Sequence, residues 1–446
     1  MKKLLAIALC SLCFGSLAAQ RAYSLEQLLD SARHNNIVIR NARQGIEAAR
    51  EQRKEAFTKY FPNISGTGLW FNANKGMAET TLNPSEILPP ALASSLAASL
   101  PPEALVELAN PIQVSMMKNG TIGSVMAVQP VFAGGQILNG NRLAKVGEDV
   151  SLLQLQLSEN EVDKATEQYF WQLVSLQEKM KTIANVEALL ASIYKDVNVA
   201  VSAGVTLRND LLQVELRQND IESQKLKLQN GISIVKMMMA QYCGLRDTSF
   251  TLSTHLDYSV ELPAKQDHAQ ALFSTTEYKL LDKQIEATRL QKNLAVGQNL
   301  PSVAVGAGYN YHNLLNKNHS FGMIFATVNV PISGWWGGSH AIKRKKIEYQ
   351  KALDEQHDKA ELLQIRMQNA WNHVVEARQQ LQIAGRSIEQ AEENLRIHRN
   401  YYQAGTCKIS DLLEAQLLYQ QSCDKRIDAF ADYQNSILEY TQSVGQ

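Results

Sequence analysis

The stretch that decides the fold is AGVTLRNDLLQVE, Ala203 to Glu215, which returns as AGTCKISDLLEAQ from Ala404 to Gln416. The glycine, the aspartate and the Leu-Leu pair recur 201 residues apart. Gly204 and Gly405 follow long segments without proline and stand where the end of a helix favours a residue with positive φ. The sequence therefore predicts two helical hairpins with related turns.

The duplication extends through most of the chain, because proline-bearing segments also recur. Residues 61–64 (FPNI) are matched by 300–303 (LPSV), and 129–132 (QPVF) by 330–333 (VPIS). Each half is predicted to contain a helix, two short strands and a long helical hairpin. The predicted first repeat spans 20–250, with strands 62–72 and 121–132 and a turn at 204–210, and the second spans 251–446, with strands 301–312 and 321–332 and a turn at 405–411.

The two halves differ between their strands, where the first half carries a surplus rich in Pro, Ala, Ser and Leu. Residues 73–120 are predicted to form a long loop with a short helix in 91–100.

Residues 1–19 are predicted to be a secretory signal peptide, since a basic start precedes an apolar run and small residues. Neither Cys10 nor Cys13 follows the small residue of a lipoprotein cleavage site, so no lipid anchor is predicted. The 44 basic and 44 acidic side chains cancel, which implies no polyanionic partner. The remaining cysteines, Cys243, Cys407 and Cys423, lack the spacing of a disulfide framework or metal site.

The strands alternate in character, most clearly in 302–312, where Val303, Val305 and Tyr309 share one face. This pattern suits a strand between lipid and a lumen, although half-buried strands of a soluble sheet would show it too. Four strands cannot close a barrel, and an open sheet edge is not tolerated in hydrocarbon. Several chains must then share one barrel, and a passage for solutes favours twelve strands from a trimer.

The helical segments have the length and apolar spacing of long coiled-coil hairpins. The segment 136–203 contains no proline and as one helix would reach about 100 Å. Apolar residues recur at heptad-like intervals from Leu153 to Ile183 and from Leu212 to Val235, and the second half repeats the arrangement in 341–404 and 409–440.

In their order and duplication, these features resemble the TolC-type outer-membrane efflux proteins. The resemblance implies an α+β membrane protein, a homotrimer whose 12-stranded β-barrel, with four strands per chain, continues as a 12-helix coiled-coil α-barrel. It also implies an outer-membrane exit duct of a Gram-negative bacterium that extends into the periplasm. Such a duct receives cargo from a periplasmic adaptor and an inner-membrane pump of the RND, ABC or MFS type, in efflux or type I secretion.

The resemblance implies a gate at the hairpin tips. By position, Asp210 matches the acidic residue of the first turn, Tyr402 the aromatic residue before Gly405, and Asp411 and Glu414 an acidic ring. The arginine that the family carries two residues after the second glycine is Cys407 here, so either Lys408 or other contacts must hold the gate closed. An alternative for Asp210 and Asp411 is helix capping, because Gln213 and Glu414 follow at capping-box spacing.

No catalytic, cofactor-binding or metal motif is found, and no enzyme activity is predicted. His312 and His319 flank a loop that begins at Asn313 and could bind a metal ion, but exposed loop histidines are usually only solvated. The alternative function is a soluble periplasmic coiled-coil adaptor protein, which would share the signal peptide and hairpins without needing the strands. The cargo, whether drugs, metals or proteins, cannot be read from these residues.

Overall fold

The computed structural model describes residues 22–83, 87–101, 103–104, 106, 110–254, 256–314 and 317–445, and the predicted signal peptide lies outside this set. The chain divides into two compact units. We call the unit made of residues up to Arg50, Val146–Glu286 and the chain from Gln350 the helical unit, and the unit made of Glu51–Lys145 and Ala287–Tyr349 the sheet unit.

The described elements alternate between short strands and long helices. In chain order they are β1 (Ala22–Tyr23), α1 (Leu25–Asn35), α2 (Ile37–Thr58), β2 (Asn63–Asn72), β3 (Ala78–Leu82), α3 (Pro90–Ser99), β4 (Ile112–Met116), β5 (Asn119–Phe132), α4 (Gln136–Ser202), α5 (Arg208–Cys243), β6 (Thr251–Leu252), α6 (His268–Ala271), a 3-10 turn (Leu272–Ser274), α7 (Thr276–Gly297), β7 (Ser302–His312), β8 (His319–Asn329), α8 (Gly334–Gln403) and α9 (Ile409–Ser443).

The sheet unit is built on a four-stranded antiparallel sheet in the order β2-β5-β7-β8. Side chains of directly paired residues lie on the same face of a sheet, so the register assigns every residue to one of two faces. One face, which we call the apolar face, carries large side chains that are 42–89% exposed in the single chain. They are Ile64, Trp70, Val125, Val305, Tyr309, Ile324 and Val328.

The opposite face, the mixed face, combines polar and aromatic side chains. Thr67 and Ser124 are hydrogen-bonded across β2 and β5 with their hydroxyl oxygens 2.7 Å apart. The Phe325 ring covers Gly306, where any Cβ would overlap the ring. The face ends in His312 and His319.

The prediction of a long loop over residues 73–120 is wrong in part. β3 and β4 pair antiparallel, with Ala78 opposite Met116 and Leu82 opposite Ile112. The predicted short helix is present as α3. Two strands of only five residues, far apart in sequence, are too short for a clear period of two.

Buried clusters hold the helical unit together. One contains Leu28, Ile39 and Leu173, and its aromatic members Phe170, Trp171 and Phe430 make edge-to-face contacts at 5.1 and 5.6 Å. A second cluster, which we call the tip core, joins α4, α5 and the start of α9 through Leu190, Val197, Val214, Ile221, Ile409 and Leu412.

The heptad prediction is reproduced on one side of each hairpin helix. Val162, Leu173 and Ile183 of α4 are at most 2% exposed, whereas Leu212 and Leu226 of α5 are 46% and 61% exposed in the single chain. α4 and α8 contain 67 and 70 residues. The predicted α+β class, mostly helical with short strands, is confirmed.

Within the described part of the chain, no helix is both long enough and apolar enough to cross a membrane.

Candidate functional site at the hairpin tips

The two turns have nearly identical backbone geometry. Gly204 has φ 72° and Gly405 has φ 71°. In the first turn the Val205 N–H donates to the Ala200 carbonyl, and in the second the Thr406 N–H donates to the Tyr401 carbonyl, at 2.8 and 2.9 Å. Nothing lies within 4 Å of a Cβ placed at either glycine. Glycine is therefore required here by its backbone conformation and not by lack of space.

The structure brings the two turns together, although they are far apart in sequence. They line one open cleft of about 1030 Å³. Of the predicted gate residues, Asp210, Tyr402 and Lys408 line this cleft, together with Asp196, Thr206 and Cys407. Asp411 and Glu414 are not among the described residues that line it, and Glu414 is exposed on α9.

At the first turn, the N-cap of α5 is Leu207, which provides no side-chain hydrogen bond to the backbone. Asp210 stands three residues later and accepts a short hydrogen bond from the Thr206 hydroxyl. The alternative that Asp210 is itself the N-cap is wrong. Its carboxylate instead lies in the first turn of the helix, where negative charge is favoured by the macrodipole.

At the second turn, the N-cap of α9 is Lys408, and Asp411 occupies the third helical position. The Asp411 carboxylate accepts a hydrogen bond from the Lys408 backbone N–H at 3.3 Å and from the Ser410 hydroxyl at 3.0 Å. Asp411 is thus the acidic third residue of a half-formed capping box. The sequence had suggested that it was the first residue of such a box. Glu414 has no part in this cap.

Tyr402 lies half-buried between the two turns and packs against the tip core. Its hydroxyl pKa is raised, first by burial and then by the nearby carboxylates of Asp210 and Asp196. The side chain therefore stays neutral at physiological pH and contributes an apolar ring to the cleft.

The position of the expected arginine carries no charge. The Cys407 thiol donates to the His398 carbonyl at 3.4 Å, and burial raises its pKa. Lys408 takes part in none of the ion pairs between described residues of this chain. Within the chain, the two hairpins are joined by other contacts.

Such a contact is present between α5 and α9, and sequence reasoning missed it. Arg217 donates from Nε to Gln416 Oε1 at 3.0 Å and from its terminal nitrogen to Gln420 Oε1 at 2.8 Å. The Gln420 amide nitrogen then donates to Gln224 Oε1 at 2.8 Å. We call these four residues the arginine clamp.

The arginine clamp is largely removed from water. Gln416 is 0% and Gln420 is 4% exposed. Burial lowers the pKa of Arg217, whose guanidinium nevertheless remains positive at any physiological pH. Arg217 lies 199 and 203 residues from its two partners, so no local pattern could have revealed the contact.

Comparison with known proteins relates the second half of the chain to a family. Residues 278–446 match the family model of the outer membrane efflux proteins. Over these residues the chain is similar to that family. The resemblance inferred from the repeated turns is therefore confirmed, and the matched region contains β7, β8 and the whole second hairpin with Gly405 and Asp411.

Solved outer-membrane channels share the fold of this chain. VceC from Vibrio cholerae is 14% identical with a TM-score of 0.73, and the match covers 94% of this chain and 96% of that one. CmeC from Campylobacter jejuni is 15% identical with a TM-score of 0.74, over 94% and 85% of the two chains. An open-state structure of MtrE from Neisseria gonorrhoeae is 13% identical with a TM-score of 0.72, over 94% and 88%.

At such identities the structural likeness establishes the fold. Among curated protein sequences, none matches the chain significantly. The matches are to outer-membrane channels, and they do not support the alternative of a soluble periplasmic adaptor.

Proposed function

We propose that this efflux-family chain is the outer-membrane exit duct of a tripartite efflux or type I secretion system and works as a homotrimer. The observation that carries the proposal is the family match of the second repeat combined with a channel fold over at least 94% of the chain. In this role the chain takes cargo from a periplasmic adaptor and an inner-membrane pump of the RND, ABC or MFS type. It releases the cargo to the exterior without chemistry of its own.

The apolar face of the sheet supports a place in the outer membrane. Ile324, Trp70 and Ile64 are 89%, 71% and 70% exposed in the single chain. A contiguous exposed patch of this kind is unfavourable in water and marks a surface that meets lipid or protein. Because the mixed face carries Thr67, Ser124 and Asn310, it is suited to a water-filled lumen.

The open edges of the sheet support the trimer. β2 pairs with β5 and β8 with β7, and no other described strand pairs with the outer edge of β2 or β8. In hydrocarbon these backbone groups would lack hydrogen-bond partners, at a cost of several kcal/mol for each group. Pairing β8 of one chain with β2 of the next removes every edge, and three chains supply the twelve strands that leave room for a passage.

The hairpin tips are proposed to form the periplasmic gate. Asp210, Tyr402 and Lys408 meet in one cleft, and the second hairpin is held to the first by the tip core and the arginine clamp. We assign to Arg217 the closing role that the family resemblance placed at the position of Cys407. Asp411 and Glu414 are proposed to ring the entrance with negative charge, which favours cations.

Reconstitution tests the duct. Purified full-length chain in a planar lipid bilayer should give stepwise conductance, and heat-modifiable trimers should be found in the outer-membrane fraction. Crosslinking in cells should then co-purify an adaptor and a pump. Release of the chain with the periplasmic contents, without conductance, would overturn the proposal in favour of the adaptor alternative.

The acidic ring has its own test. Multivalent cations added on the periplasmic side should block the wild-type channel, and Asp411→Asn combined with Glu414→Gln should abolish the block. The matched control is Asp358→Asn with Glu361→Gln, an exposed pair of the same spacing on α8. If both double variants retain the block, the ring is not the binding site, although the duct itself would stand.

A further inference from the structure

The structure places two histidines directly opposite each other at the end of the β7–β8 ladder. His312 pairs with His319 in register, so both side chains lie on the mixed face. Their ring centres are 5.2 Å apart with the ring planes at 61°. The sequence predicted His312 at the end of a strand and His319 in the loop after it. In the structure both belong to strands, and His312 is partly buried.

This separation matches two imidazoles that chelate one metal ion. With metal–nitrogen bonds of about 2.1 Å and square or tetrahedral angles, the ring centres lie about 4.5–5.3 Å apart. The paired rings therefore need only side-chain rotation, and no movement of the strands, to direct one nitrogen each at a common ion.

His312 also has a nitrogen available to bind. Its Nδ1 atom is buried and has no hydrogen-bond partner in the described structure, and the same holds for the amide nitrogen of Asn310. A buried polar atom without a partner costs about 1–3 kcal/mol, so a ligand that satisfies it is favoured. Asn310 precedes His312 by two residues and lies on the same face, where its amide oxygen can serve as a third ligand.

We propose that His312 and His319 bind a divalent transition-metal ion of the class that prefers imidazole, such as Zn²⁺, Cu²⁺ or Ni²⁺. Imidazole nitrogen selects these ions over Mg²⁺ and Ca²⁺, which prefer oxygen. No described group of three His, Cys, Asp or Glu residues can hold a metal, so water completes the coordination. Because residues 313–318 connect the two strands, the bound ion closes the hairpin end with a second link. The inference uses the register, the ring separation and the unpartnered Nδ1 atom, and it does not depend on the proposed function.

Titration of the full-length chain in detergent, with any affinity tag removed, tests the site. In a calorimetric titration, one Zn²⁺ ion should bind to each chain. Mg²⁺ should not compete with it. His312→Ala and His319→Ala should each weaken binding at least tenfold, because either change destroys the chelate, and the double variant should abolish binding at this site.

His357→Ala is the matched control, since that side chain is 83% exposed on α8 and should leave Zn²⁺ affinity unchanged. His312→Gln and His319→Gln keep polar side chains on the strands if the alanine variants fold poorly. With Cu²⁺, the electron paramagnetic resonance spectrum of the wild type should show two nitrogen ligands and that of each variant one. Absence of binding to the wild type, or an affinity that neither single change lowers, would overturn the proposal.

Discussion

The two hairpin tips have the same backbone conformation but differ in how they are anchored. In the first, Val205 and Leu207 are 80% and 73% exposed. In the second, the corresponding positions are the polar Thr406 and Lys408, and Ile409 directly after them is 2% exposed in the tip core. The first tip therefore presents apolar surface, whereas the second is packed into its own subunit.

The difference shows how one repeated turn can form either an exposed tip or a packed tip. Glycine with positive φ fixes the reversal of the chain in both tips, and the residues after it decide whether the tip is held. In the second tip Asp411 caps the backbone of Lys408, whereas in the first Asp210 is bonded to a side-chain hydroxyl. We expect the second tip to be the more ordered in the resting channel and the first to be the surface on which a partner docks.

Removing Ile409, the buried anchor of the second tip, should have the largest effect on the free energy of unfolding. Ile409→Ala should lower the free energy of unfolding by about 2–5 kcal/mol, because it leaves a cavity in the tip core. Leu207→Ala, at an exposed site one residue before its own helix, should change it by less than about 0.5 kcal/mol. Thermal unfolding followed by circular dichroism in detergent measures both. Equal losses of stability in the two variants would contradict the unequal anchoring of the tips.

Breaking the arginine clamp should have the next largest effect. Arg217→Met leaves the oxygens of the buried Gln416 and Gln420 without their charged donor and should cost about 1.5–3 kcal/mol. The bilayer conductance of the variant should rise, because the two hairpins are no longer joined. Arg208→Met removes an exposed arginine of the first tip and is the control, for which neither quantity should change.

Removing the acidic residue in the first turn of α5 or α9 should change the free energy of unfolding by less than the two preceding substitutions. Asp411→Ala removes an acceptor for a backbone N–H and should cost about 1 kcal/mol, with faster amide exchange in residues 405–413. Asp210→Ala removes only a side-chain contact and a favourable charge, so exchange in residues 204–212 should rise less. Hydrogen exchange followed by mass spectrometry resolves the two segments, and a larger change in the first would reverse the comparison.

The smallest effect concerns pH. The pKa of the Tyr402 hydroxyl is raised by burial and by Asp210 and Asp196, so it lies above that of the unfolded chain. The stability that this group contributes is complete below a pH of about 10 and is lost as the pH rises through the folded-state pKa. Tyr402→Phe should reduce the alkaline loss of stability, measured as unfolding temperature between about pH 9 and 11. Tyr401→Phe, at the exposed neighbour, should not.

Features with a local cause were predictable from the sequence. The turn glycines, the helical hairpins and the α+β class follow from φ preference, apolar spacing and strand alternation, which act over a few residues. The β3–β4 pair was missed because its strands have five residues each and no marked alternation.

The arginine clamp was missed for a different reason. Its members are three helical turns or more from the glycines, and Gln416 and Gln420 look like ordinary surface glutamines in sequence. Only the pairing of α5 with α9 buries them and gives Arg217 its partners. The two histidines were noticed in the sequence as flanking one loop, but their direct contact depends on the register of β7 with β8.

The open edges of β2 and β8 also make the unassembled chain prone to aggregation. If β2 and β8 pair with a neighbouring copy as proposed, these strands of ten and eleven residues can also pair with a wrong strand, since backbone hydrogen bonds carry little sequence information. Correct assembly must therefore outpace aggregation, and its rate depends on the local concentration of chains. We expect the yield of native channels to fall with both scarcity and overproduction, with an optimum between them.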